Sequence, residues 1–203
     1  MRTTGGRRPG VAALALAAGL LCASPALAHT GTGLPGGFAA GLLHPLSGPD
    51  HLLAMVAVGL WGAFLGRPLI WLLPVVFPTV MAFGGLLAIL NVPAPPVELG
   101  IALSVLLLGG AIAGAIRPPV WVACVLVGLF GLFHGYAHGQ ELPSAADPVG
   151  YSVGFVFSTG MLHVCGIVLG LLLLRPWGVI VARCLGGAIA AAGVYFLWRA
   201  LVP

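Results

Sequence analysis

His44-Pro45-Leu46-Ser47-Gly48-Pro49-Asp50-His51 runs directly into the apolar stretch Leu52-Leu53-Ala54-Met55-Val56-Ala57-Val58-Gly59-Leu60-Trp61. Three side chains able to ligate a metal, His44, Asp50 and His51, fall within eight residues at the mouth of that stretch. Two prolines and a glycine between them forbid a regular helix, so the backbone is expected to turn here. Imidazole and carboxylate groups are costly against lipid, so these three should face a protein interior or a wet cavity.

Composition agrees with a membrane setting. Of 203 residues, 60% are hydrophobic and 6% are charged, and lysine is absent. So few charges cannot cover a soluble surface. Several apolar runs reach the roughly 20 residues that a spanning helix needs. They are continuously apolar rather than alternating, which disfavours a β-barrel. The expected class is an all-α membrane protein with a single polytopic domain.

Arg2, Arg7 and Arg8 precede the short apolar stretch Val11 to Ala23, which ends in Ser24-Pro25-Ala26-Leu27-Ala28. That order matches a secretory signal peptide over 1–28, leaving 29–203 as the transmembrane domain. An uncleaved anchor helix is the competing reading. Cleavage would make His29 the new N-terminus, able to chelate through amine and imidazole together. The remaining arginines nearly balance the acids, so no nucleic-acid partner is expected. Cys124, Cys165 and Cys184 stand singly in apolar runs and read as small hydrophobes.

A short apolar piece, Phe38 to Leu43, reads as a half-helix or re-entrant segment leading into His44. Six spans follow, at about 50–66, 69–90, 96–116, 119–138, 148–174 and 177–201. With the mature N-terminus outside, the turns holding Arg67, Arg117 and Arg175 fall on the cytoplasmic side, as the positive-inside rule requires. Trp61, Trp71, Trp121 and Trp177 then form one interfacial belt, and Trp198, Tyr151 and Tyr195 the other. Glycine pairs at four-residue spacing (62/66, 110/114, 135/139, 150/154, 166/170) suggest close helix packing.

A second polar cluster answers the first. His134 and His138 are one turn apart on one helical face, and Glu141 returns to that face if the helix continues through Gly139-Gln140. His-x-x-x-His is a known metal-ligand spacing, although two histidines bonded to neighbouring helices would look the same. Asp50 reads as a helix N-cap, or as a carboxylate that fixes an imidazole tautomer. Glu98, after Pro95-Pro96, and Asp147, before Pro148, read as structural groups at helix N-termini. His163 lies alone near mid-membrane, either as a helix–helix hydrogen bond or as a transit site. Imidazole and carboxylate without thiolate suit Ni²⁺, Zn²⁺, Cu²⁺ or Co²⁺.

His44-x5-Asp50-His51 with the following Leu-Leu-Ala-Met and Val-Gly-Leu-Trp, and Phe133-His134-Gly135-Tyr136-Ala137-His138-Gly139-x-Glu141, resemble the HupE/UreJ family of hydrogenase and urease accessory membrane proteins. The leader followed by His-Thr-Gly resembles its HupE branch. The resemblance implies a nickel permease; with the signal peptide and the arginine pattern, the expected location is the bacterial inner membrane with the mature N-terminus periplasmic. His44, Asp50, His51, His134 and Glu141 would carry the metal.

The expected function is therefore import of Ni²⁺, with Co²⁺ or Zn²⁺ as other cargo, and no permanently bound cofactor. The expected metal set is His44, Asp50, His51, His134, His138 and Glu141, with His163 as a transit site. A cytoplasmic nickel chaperone is a further expected partner, and the chain is not expected to be an enzyme. Two other readings are an intramembrane zinc hydrolase with Glu141 as general base, and a non-transporting accessory protein.

Overall fold

The computed structural model describes residues 37–94, 96–142, 147–173, 175 and 177–202. The signal-peptide reading and His29 lie outside the described residues. Among these residues the chain is entirely helical: α1 Phe38–Ser47, α2 Pro49–Leu65, α3 Leu69–Ile89, α4 Val97–Ala113, α5 Val120–Glu141, α6 Pro148–Leu172 and α7 Gly178–Leu201. Helices α3, α5, α6 and α7 are long and apolar enough to cross a membrane. Taken together α1 and α2 pass the same test, but they are bent by 86° at their junction. Helix α4 is apolar but has only 17 residues, about 26 Å at ~1.5 Å per residue.

The turn is narrower than the sequence suggests. Helix α1 continues through His44 and Pro45 to Ser47. Pro45 costs α1 only the amide that would have met the Gly41 carbonyl. The break falls at Gly48, which is extended (φ −95°, ψ 107°) and serves as N-cap of α2, with Pro49 at its first turn. Asp50 is therefore inside the first turn and is not the cap. Asp147 does cap as expected: its carboxylate accepts from the Gly150 amide at 2.9 Å, ahead of Pro148.

The most extensive helix pairings are α3 with α5, α4 with α7, and α6 with both α2 and α1. Glycine sets the first of these. A Cβ at Gly135 would strike the Met81 carbonyl, and one at Gly84 would strike the Leu132 carbonyl. Helix α6 packs similarly, with Gly166 against the Val56 carbonyl and Gly154 against the Phe38 carbonyl. The 110/114 pair is not such a face, and of the 62/66 pair only Gly62 meets another helix, with the Leu69 carbonyl of α3 3.2 Å from its Cβ position. Gly66 ends α2 at φ +78°, a conformation that glycine adopts readily, and Gly110 has open space beside it. Trp61 also leaves the expected belt: it is buried, and its indole Nε1 donates to the Ile116 carbonyl at 3.3 Å. Tyr151 is buried too, whereas Trp71, Trp121, Trp177, Tyr195 and Trp198 are exposed as expected.

Arg67, Arg117 and Arg183 gather at one end of the bundle, whereas Arg199, in the last turn of α7, lies at the other end beside Asp50. The Arg117 guanidinium lies 5.2 Å from the centroid of the Phe64 ring, near the end of α2. Arg183 donates to the Ala113 carbonyl at 2.7 Å, at the end of α4. The start of α2 and the end of α5 lie at the opposite end.

Candidate metal site

Helix α1 brings His44 to the site because Gly41 lets it settle onto the Tyr151 carbonyl of α6. Helix α2 supplies Asp50 and His51 from its first turn. Helix α5 supplies His134, His138 and Glu141. It does run through Gly139 and Gln140 to Glu141, so all three share a face. Two motifs about 90 residues apart in sequence thereby meet at one end of the bundle.

His44 Nε2 lies 3.3 Å from Glu141 Oε2, and His138 Nδ1 lies 3.7 Å from the same oxygen. One donor atom from each of the three falls within 4.8 Å of the other two. Metal–ligand bonds of about 2.1 Å place tetrahedral donors about 3.4 Å apart, so the three need to close by about 1.4 Å at most. Four imidazoles follow one another in space. Ring centroids are 4.9 Å apart from His44 to His138, 4.6 Å from His138 to His51, and 4.7 Å from His51 to His134. All four rings are buried.

Neighbouring hydrogen bonds fix two tautomers. Asp50 Oδ1 lies 2.8 Å from His51 Nδ1 and also accepts from the His51 amide at 2.8 Å. A carboxylate only accepts, so Nδ1 carries a proton, and in the neutral ring Nε2 holds the lone pair. This is the tautomer-fixing role that the sequence allowed for Asp50. Ser104 does the same for His134. Its single hydroxyl proton goes to the Ile101 carbonyl at 2.6 Å, so the 3.0 Å contact with His134 Nε2 is an N–H donated by the imidazole. His134 Nδ1 is left with a lone pair and no hydrogen-bond partner, on a ring that is fully buried. Neither ring nitrogen of His138 completes a hydrogen bond. A buried polar atom left unsatisfied costs about 1–3 kcal/mol, so such atoms call for a ligand.

Replacing Asp50 by Asn should lower Ni²⁺ affinity by about 10–100-fold, because an amide no longer dictates the His51 tautomer. Titration of the purified variant in detergent measures this, with circular dichroism to confirm retained helicity. Unchanged affinity would make Asp50 a mere first-turn carboxylate.

Some contributors had no clear signature in the sequence. Ser104 is one polar residue in an apolar helix. Glu98 does sit in the first turn of α4, as read, but it also lines a pocket with Asp50, Ala102, Phe196 and Arg199. Phe77 of α3 neighbours both the cluster and His163, with ring centroids 5.3 Å from His134 and 5.4 Å from His163. His163 itself is buried and lies beyond the cluster.

Apolar, membrane-length helices around buried imidazoles and a carboxylate define an all-helical membrane protein with a donor set suited to a divalent metal ion. The chain belongs to the HupE/UreJ family: residues 15–196 match the family described as HupE / UreJ protein. It is similar to Protein HupE of Rhizobium leguminosarum bv. viciae, at 47% identity over 176 residues, which covers 86% of this chain and 92% of the relative. No solved structure matches the chain.

Proposed function

We propose that this protein is a permease that carries Ni²⁺ from the periplasm to the cytoplasm, supplying the assembly of NiFe-hydrogenase or urease. The observation that carries this reading is the meeting of His44, His138 and Glu141, with the His51 and His134 lone pairs beside them. Thiolates are absent from the set, and imidazole with carboxylate suits nickel, cobalt and zinc. Few donors of mixed type favour capture followed by release, which transport needs.

In this reading six helices, α2 to α7, cross the inner membrane, and α1 is a re-entrant arm. The arginine-bearing end faces the cytoplasm, in keeping with the positive-inside rule. The cluster then opens to the periplasm. A doubly charged ion moving inward gains about 4.6 kcal/mol per 100 mV of inside-negative potential, which drives accumulation without a nucleotide. Cytoplasmic nickel chaperones are the natural recipients.

The test is uptake of ⁶³Ni²⁺ by proteoliposomes holding the purified protein under an inside-negative potential. Saturable uptake that grows with the potential is expected. Stoichiometric metal that resists chelators, with no flux, overturns the permease reading.

A further inference from the structure

We propose that His163, Thr159 and the Pro74 carbonyl form a second, inner station that holds the divalent cation between the outer cluster and the arginine-bearing end. The inference rests on the permease reading above.

The first observation concerns α3. In an α-helix the carbonyl of residue 74 receives the amide of residue 78. Residue 78 is proline and has no N–H, so the Pro74 carbonyl loses its intrahelical donor. That carbonyl faces the imidazole of His163 on α6. An oxygen released from its helix and turned into a membrane protein's interior is a cation ligand in waiting, as in the unwound segments of transporters.

The second observation concerns α6. His163 is 1% exposed and Thr159 is 0% exposed. Neither ring nitrogen of His163 completes a sound hydrogen bond, and the Thr159 hydroxyl has no partner. Thr159 precedes His163 by one turn on the same face. A buried threonine in a helix ordinarily donates to a carbonyl of the preceding turn, and this one does not. Imidazole nitrogen, hydroxyl and carbonyl oxygen are all neutral donors. They compensate a divalent ion less than the outer Glu141 does, which suits a site that passes its ion on.

The third observation is placement. His163 lies about 18 Å along α6 from Tyr151 at ~1.5 Å per residue, and Tyr151 touches His44 of the outer cluster. A Cβ at Gly59, near the middle of α2, would strike the His163 carbonyl, which puts His163 well inside the bundle. Phe77 contacts both it and His134, so the Phe77 ring neighbours both stations.

The experiment compares His163→Gln, Thr159→Val and Pro78→Ala with wild type, reading Ni²⁺ binding in detergent and initial ⁶³Ni²⁺ uptake in proteoliposomes. Glutamine can still donate a hydrogen bond to the Pro74 carbonyl but is a poor ligand. Pro78→Ala returns an amide to that carbonyl. Binding at the outer cluster should stay within about twofold in all three. Uptake should fall at least about tenfold in His163→Gln and several-fold in the other two, in the range seen when a metal's supporting groups are removed. Wild-type uptake in His163→Gln would reduce His163 to a helix–helix hydrogen bond and overturn the station. If His163→Gln does not fold, wild-type uptake in both Thr159→Val and Pro78→Ala overturns it instead. No uptake by wild type removes the permease reading and the station together, a result distinct from loss confined to the variants.

Discussion

Glu141→Gln is expected to abolish nickel handling while leaving the fold in place. Glutamine matches glutamate in size but carries no charge and offers one oxygen in place of two. Glu141 Oε2 is the atom that His44 and His138 share, at 3.3 and 3.7 Å. It is also the one carboxylate in the three-residue donor group. Without it an incoming doubly charged ion meets only imidazoles at the three-residue group, in a buried setting where uncompensated charge is expensive. Loss of a supporting group costs about 10–100-fold in metal affinity, and loss of a ligand costs at least the upper end of that range. We expect Ni²⁺ affinity and uptake both to fall by about 100-fold or more, with an unchanged helical circular dichroism spectrum. Glu141→Asp should recover part of the affinity. A Glu141→Gln protein that binds and transports nickel normally would move the site away from this cluster.

Gly135→Ala should have the largest structural effect of any single methyl group added at the described glycines. Its Cβ would overlap the Met81 backbone carbonyl of α3, which cannot rotate away as a side chain would. Helices α3 and α5 must separate. Overpacking of this kind costs about 1–3 kcal/mol and sometimes more, and a backbone clash belongs at the upper end. The same displacement shifts His134, the adjacent residue on α5, relative to Ser104 of α4. The protein should therefore lose both thermal stability in detergent and metal affinity. Gly160→Ala is the control, since a Cβ there meets nothing within 4 Å. Equal melting temperatures for the two variants would contradict the close α3–α5 contact.

Much of the fold is written in composition and local pattern. Long apolar runs with almost no charge admit only membrane helices, and four such helices are present, with a bent pair as a fifth candidate. Asp147 before Pro148 announces a helix start. His134, His138 and Glu141 share a face by periodicity alone, and the arginine turns mark one end of the bundle. These features depend on neighbours in sequence, so the sequence carries them.

Other features depend on which helices touch, and local pattern is silent there. The glycine spacing at 110/114 and 135/139 is the same, yet only the second face meets another helix at backbone distance. Trp61 and Tyr151 read as interfacial aromatics but are buried. Asp50 is a tautomer-fixing partner of His51 rather than a cap, because Gly48 takes the cap and α1 folds back at 86°. Ser104 and the Pro74 carbonyl acquire meaning only when α5 and α6 are laid beside them. The sequence by itself determined the class of protein, the helices and the candidate ligands, because apolar periodicity and residue chemistry are local. The tertiary structure alone decided that His44 meets Glu141 and that Ser104 takes the Nε2–H of His134, since those partners are distant in the chain.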